Sequence, residues 1–193
     1  IHMQTASEVF GVPIQEVTPE MRRDAKTVNF GIIYGMSDYG LSQSLGCSVP
    51  TAKKYLTTYF EKYPGVKTYM EGNIEFAKQN GYVKTILNRR RKMLEVTSSN
   101  YQVRKFGERA SMNMPLQGTA SDIIKLAMVK VASEIKKRGL KSKLILQIHD
   151  ELIVDTASDE LNEIVTLLKS TMENVIKLDV PLLVDVNMGK DWF

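Results

Sequence analysis

One cysteine, Cys47, is all that the 193 residues contain. A lone thiol can neither close an internal disulfide nor supply a cysteine-based zinc site, so a reducing compartment fits. No apolar run approaches the length of a membrane-spanning helix, and nothing ahead of the first helical segment reads as a signal peptide. Histidine is almost as scarce, with only His2 and His149. No Gly-x-Ser-x-Gly elbow accompanies them, which argues against Ser-His-Asp hydrolysis. The phosphate-cradling Gly-x4-Gly-Lys-Ser/Thr loop is missing too, so any lysine that meets phosphate must do so from another local structure. Internal repeats and low-complexity tracts are likewise absent.

What is present suits one large domain or two small ones. The apolar fraction of 43% is ample for a packed core, and the formal charge is +4. With a pI near 9.0 the chain is modestly basic, compatible with a nucleic-acid partner without requiring one. The opening Ile1-His-Met-Gln reads as a helix entered midway, so a longer parent polypeptide is expected.

Up to about residue 80 the pattern is helical with short connections. A short helix over 3–10 puts Met3, Ala6, Val9 and Phe10 on one face and stops at Gly11-Val-Pro13. A second is expected over about 19–35. Ser37 to Gly46 reads as a third, two turns long. Ser48-Val-Pro50 starts a fourth, with Tyr55, Tyr59 and Phe60 on one face, ending before Pro64-Gly65. Val66, Tyr69, Met70, Ile74 and Ala77 mark a fifth, stopped by Asn80-Gly81. The character changes at Tyr82, where Tyr-Val-Lys-Thr-Ile-Leu is strand-like and Asn88 suits a turn before a basic run.

Thr97-Ser-Ser-Asn100 is rich in capping residues and opens a helix to about Met114, halted by Pro115. A separate helix is expected from Leu116 to Arg138, closed by Gly139. Lys143 to Asp155 reads as a hairpin with a polar turn at His149-Asp150. Glu160 to Lys177 is amphipathic, with Leu161, Ile164, Val165, Leu168 and Met172 inward. Val180-Pro-Leu-Leu-Val-Asp-Val186 reads as a last strand that begins at its proline or lies at an edge. The fold class is therefore α+β: an all-helical part over 1–96, then helices on an antiparallel sheet over 97–193.

The second helix carries the most informative pattern. Thr18 suits its N-cap, Pro19 its first position, Glu20 the positive end of its dipole. Within it Arg22, Lys26, Phe30 and Tyr34 recur every four residues. Each such step advances about 40° around the axis and about 6 Å along it, giving a slanting ridge about 18 Å long. One end is cationic, as a triphosphate requires; the other is aromatic, as a base or sugar prefers. On spacing alone the plainer reading is a core-packing helix with a solvated Arg-Arg pair. At the hairpin, His149-Asp150-Glu151 is likewise no more than an ordinary solvated turn by itself. Arg109, Asn113 and Gln117 form a third series at spacing four, and Arg89-Arg-Arg-Lys92 could neutralise phosphates or simply solubilise a turn.

Arg22-x3-Lys26-x3-Phe30-Gly-x2-Tyr34-Gly resembles the nucleotide-binding fingers helix of family A DNA polymerases, the bacterial DNA polymerase I type. Gln147-Ile-His-Asp-Glu151 resembles the palm hairpin of that family, Glu108 to Thr119 another of its segments, and Gly189-x2-Trp192 its closing motif, all in family order. The resemblance implies fingers over 1–96 and the C-terminal part of the palm over 97–193. It also implies template-directed transfer of a deoxynucleotide to a primer 3′ hydroxyl, in the bacterial cytoplasm, by a monomeric parent.

By resemblance, Arg22 and Lys26 hold and neutralise the triphosphate, Phe30 packs on its sugar and base, and Tyr34 guards the place where the template base enters. Phenylalanine at position 30 implies discrimination against dideoxynucleotides. Arg109, Asn113 and Gln117 would meet primer–template DNA, partly in the minor groove, where acceptors recur in every base pair. Arg89 and Arg90 would lie by the duplex and His149 near the primer end. Asp150 would be a ligand of one of two Mg²⁺ ions, with Glu151 a further candidate.

One departure is important. The family's second metal-binding Asp, in an Asp-Tyr-Ser-x2-Glu segment, occurs nowhere in this sequence. Asp155 cannot replace it, since five residues along a strand from Asp150 it points to the other face and lies about 17 Å away if extended. The parent is thus expected to polymerise and this chain alone not to. Two other readings stand beside it: a nucleic-acid-binding module without catalysis, and a structural helical domain whose aromatic ridge is core.

Overall fold

The computed structural model describes residues 1–191; Trp192, part of the closing motif, lies outside the described residues. The chain divides into two compact units, Ile1–Gln117 and Gly118–Phe193. It is α+β, with two small antiparallel pairs of strands among helices. Among the described residues no helix is long and apolar enough to cross a membrane.

The first unit opens with α1 (His2–Phe10), α2 (Pro19–Ile33), α3 (Asp38–Leu45), α4 (Val49–Lys62) and α5 (Pro64–Asn80). Local chemistry sets their ends. The Thr18 hydroxyl accepts from the Met21 amide at 3.2 Å with Pro19 in the first turn, Ser37 caps α3 and Ser48 caps α4. Gly11, Gly46 and Gly81 close α1, α3 and α5 with left-handed backbones. Val9, Val28, Ile32, Leu41, Ala52 and Tyr59 form the core between α1 and α4, with Tyr55 and Phe60 packed against it. The opposite face of α2 is therefore free for other work.

After α5 come β1 (Tyr82–Lys84) and β2 (Arg90–Lys92), paired antiparallel with Tyr82 opposite Lys92 and Lys84 opposite Arg90. The strand expected at Tyr82 is short, because Thr85 and Asn88 turn the chain back at once, Asn88 with φ 63°. Val83 anchors the hairpin in a second cluster with Ala77, Met93 and Val96.

The helix expected to stop at Pro115 does not stop. α6 runs unbroken from Tyr101 to Lys137 with Pro115 inside it. Asn100 caps it, accepting from the amides of Gln102 at 2.9 Å and Val103 at 3.3 Å. A helix-interior proline removes one backbone bond and costs about 3 kcal/mol. Burial on both sides offsets that: Ser111, Met112 and Pro115 are buried, and Met114 packs on the Val83–Met93–Val96 cluster.

The second unit holds the remainder of α6, β3 (Lys143–Ile148), β4 (Glu151–Asp155) and α7 (Leu161–Glu173). β3 and β4 form the expected hairpin, with an irregularity at Ile145. Val131, Ile135, Ile164, Leu167 and Leu168 make the core, with Leu152, Val154 and Met172 against it. α7 is shorter than expected, and Leu161, in its first turn, is 40% exposed while Leu167 is fully buried.

No strand forms at Val180–Val186, contrary to expectation. Period-two burial survives, with Leu182, Val184 and Val186 half-buried and Leu183 exposed. What is missing is a ladder. Pro181 has no N–H to give, and the Val184 amide donates instead to the Glu173 carboxylate at 3.1 Å.

Candidate nucleotide and nucleic-acid site

α2 buries Ala25, Val28, Asn29 and Ile32, and this turns Arg22, Lys26, Phe30 and Tyr34 to solvent along its other face. Phe30 is 45% and Tyr34 48% exposed, so the aromatic end of the ridge is no core. Their rings stack, with centroids 6.4 Å apart and planes 14° from parallel. The Lys26 ammonium lies 5.8 Å from the Phe30 centroid. Among the described residues neither Arg22 nor Lys26 has an ion-pair partner, whereas neighbouring Arg23 pairs with Glu20 at 3.5 Å and reaches Asp24 at 4.0 Å. Two uncompensated cations beside a flat apolar platform suit an anionic ligand with a ring.

Sequence reasoning missed His2. Its ring is 6.1 Å from Phe30, and its Nδ1 lies 2.9 Å from the Asn29 side-chain amide. Asn29 is buried and also donates to the Thr5 hydroxyl at 3.1 Å. With Nδ1 accepting from that amide, the neutral ring presents its other N–H. Burial and the positive charges of Arg22 and Lys26 push the His2 pKa down, which favours that neutral form. The only sequence signal for it was histidine's rarity.

The aromatic end of the ridge meets α6 through Gly35. Its φ of 65° is left-handed, and a Cβ there would lie 2.9 Å from Arg109 Cγ and run into the Met112 side chain. Glycine thus allows both the turn and the close approach. Gln117 Nε2 donates to the Tyr34 hydroxyl at 3.3 Å. Arg109, Asn113 and Gln117 lie along one continuous helix, so their spacing of four places them on one slanting line, with Arg109 and Gln117 exposed and Asn113 half-buried. Arg89 and Arg90 are exposed on the first hairpin. A cleft of about 520 Å³ bounded by α3, α4 and α5, with Met36, Lys53, Phe60 and Glu61 among its walls, contains none of these residues.

In the second unit His149 and Asp150 form the two-residue turn between Ile148 and Glu151, His149 with φ 51°. The Gln147 amide donates to the His149 carbonyl, bracing the turn. His149, Asp150 and Glu151 are all exposed. The carboxylates of Asp150 and Glu151 are hard oxygen donors of the type Mg²⁺ takes. Among the described residues no group of three or more acidic, histidine or cysteine side chains gathers at one point.

These features set an exposed cationic and aromatic ridge on one unit and an acidic turn on the other. Residues 1–193 match the family described as DNA polymerase family A, and the chain belongs to that family. It is 50% identical over 194 residues to DNA polymerase I of Lactococcus lactis subsp. lactis, and 49% identical over 193 residues to DNA polymerase I of Caldicellulosiruptor bescii. Each alignment covers 100% of this chain but only 22% and 23% of those relatives, so the chain spans less than a quarter of their length. A solved structure of the polymerase domain of Pol1 from M. smegmatis, in complex with DNA primer-template and dNTP, superposes with a TM-score of 0.89 at 46% identity. It covers 94% of this chain and 32% of that one.

Proposed function

We propose that this chain is the fingers and C-terminal palm of a DNA polymerase I-type enzyme, whose reaction is template-directed addition of a deoxynucleotide to a primer 3′ hydroxyl. The observation that carries the reading is the α2 ridge: two unpaired cations and two stacked, half-exposed rings on one solvent face. The matched complex with primer-template and dNTP supports it. The fingers comprise 1–96 and the palm part 97–193, a division that falls within the turn of 3-10 helix over Leu94–Thr97.

Arg22 and Lys26 grip the triphosphate by charge-assisted hydrogen bonds. Phe30 offers its face to sugar and base, and His2 extends the same surface with a neutral N–H. Tyr34, tied to Gln117, guards the template-base position. Arg109, Asn113 and Gln117 donate to minor-groove acceptors and so sense pair shape rather than sequence. Arg89 and Arg90 neutralise phosphates, and His149 stands near the primer end. Asp150, with Glu151, would hold Mg²⁺ together with substrate oxygens. Bound there, the ion would favour ionisation of the primer hydroxyl and stabilise the leaving pyrophosphate. The parent works as a monomer in the bacterial cytoplasm.

Titration of a fluorescent deoxynucleoside triphosphate into the chain tests the ridge. Lys26→Ala is expected to weaken binding by about ten- to a hundredfold, the equivalent of one charged hydrogen bond, with an unchanged thermal melt. Equal affinity in the variant would sink the reading. Because the Asp-Tyr-Ser-x2-Glu segment is not in this sequence, primer extension by the chain alone should stay at background.

A further inference from the structure

Asn29 stands on the core face of α2, 6% exposed, between buried Val28 and outward-facing Phe30. A buried amide costs free energy unless its hydrogen bonds are made. Partners come from α1. The Thr5 hydroxyl, 1% exposed, has one proton and two acceptors in reach, the Ile1 carbonyl at 3.2 Å and Asn29 Oδ1 at 3.3 Å. Its lone pair takes one Asn29 N–H at 3.1 Å, and the other N–H points at His2 Nδ1, 2.9 Å away. The His2 ring lies 6.1 Å from the Phe30 ring and tilts 39° from it. A buried polar link therefore runs from Thr5 through Asn29 to a ring that borders the aromatic platform.

Packing alone does not call for this arrangement. Apolar side chains of matching shape at positions 2, 5 and 29 would serve the α1–α2 contact about as well. Polarity kept in a core without a gain in stability points to function. We propose that Asn29 is a positioning residue of the nucleotide site, whose second N–H locks His2 as the Nε2–H tautomer beside Phe30. The inference rests on the triphosphate reading above and deepens it. A ring held in this way gives its N–H to a phosphate oxygen without first taking up a proton. Released, it would also populate the Nδ1–H form, which turns a bare lone pair toward the phosphate. Burial disfavours the charged ring, and Arg22 and Lys26 from α2 oppose it further. The first carboxylate on α1, Glu8, lies about 9 Å further along the axis and accepts from the Gln4 amide at 2.6 Å. The Tyr63 phenol, at the α4–α5 joint, is pushed up to about 12, chiefly by burial, and stays neutral.

Nitrogen NMR on the histidine-labelled chain reads the tautomer directly, and with only His2 and His149 present the spectrum is simple. In the unsubstituted chain His2 is expected as the Nε2–H form. Asn29→Asp keeps the shape but accepts where Asn29 donates, so it should switch His2 to the Nδ1–H form and raise its pKa. At about pH 8 its triphosphate binding should be about tenfold weaker than that of the unsubstituted chain. At about pH 6 the ring is charged, Nε2 again carries a proton, and most of that deficit should disappear. A purely structural defect has no such pH profile. Asn29→Leu, which removes the donor and keeps the bulk, is the second variant, and His2 should then show a mixture of tautomers, as at exposed His149. An unchanged Nε2–H tautomer in either variant, or an Asn29→Asp deficit equal at both pH values, overturns the proposal. If the unsubstituted chain binds no triphosphate, the nucleotide reading itself fails, whereas an unchanged tautomer leaves that reading in place. Circular dichroism melts confirm that each variant folds.

Discussion

The ridge on α2 and the acidic turn between β3 and β4 are both exposed and polar, yet they are built differently. The ridge is one face of a helix whose other face is locked into a core by Val28 and Ile32. Its side chains are fixed relative to one another by helical geometry and then tied to Arg109 and Gln117 through Gly35 and Tyr34. The turn presents Asp150 from two residues whose local support is a single side-chain bond from Gln147. A cationic and aromatic face can thus be held entirely within one compact unit, while a carboxylate at a hairpin tip stands with little around it. On the proposed reading, the difference separates recognition, assigned to the first unit, from chemistry, assigned to the acidic turn.

The sharpest way to break this contrast lies on α2. Ile32→Ala should cost about 2–5 kcal/mol in urea unfolding, because Ile32 is 1% exposed in a packed cluster. Two positions away, Phe30→Ala should cost about 1 kcal/mol while markedly weakening nucleotide binding. If the two variants lose equal stability, the ridge is core and not a platform.

The second unit makes a pH prediction. The Glu160 carboxylate accepts from the Lys141 and Ser142 amides at 2.8 and 2.9 Å and from the Ser142 hydroxyl at 2.6 Å. Those bonds, the Lys141 amide first, hold its pKa below the ordinary 4.5. A depressed folded pKa contributes stability above the unfolded value that disappears as pH falls through the folded one. Unfolding free energy should therefore decline below about pH 4.5, and Glu160→Gln should flatten that decline. The smallest effect belongs to Gln117→Ala. Its bond to the Tyr34 hydroxyl is exposed, so the unfolding free energy in urea should change by no more than about 0.5 kcal/mol, while primer–template binding, on the proposed reading, weakens.

Much of this was legible in residue order. Thr18-Pro19, Ser37, Ser48 and Gly81 mark helix ends because capping is chemistry between near neighbours. The ridge was legible for the same reason, since a spacing of four fixes one face of a helix whatever surrounds it. Pro115 misled because burial of Met112 and Pro115 itself outweighs a lost backbone bond. Val180–Val186 misled because alternation makes a strand only where a neighbour accepts its amides. β2 was hidden because three cations carry no strand pattern, and His2 because its role depends on Asn29, distant in sequence and adjacent in space.

By itself, then, the order of residues determined the helices, the placement of cations and rings along α2, and the acidic hairpin tip, since each depends on bonds between residues a few positions apart. Only the tertiary structure decided that Phe30 faces water, that α6 passes through its proline, and which cations of the basic hairpin share a face. Those outcomes are settled by which surfaces find a partner to exclude water, and partners lie far apart along the chain.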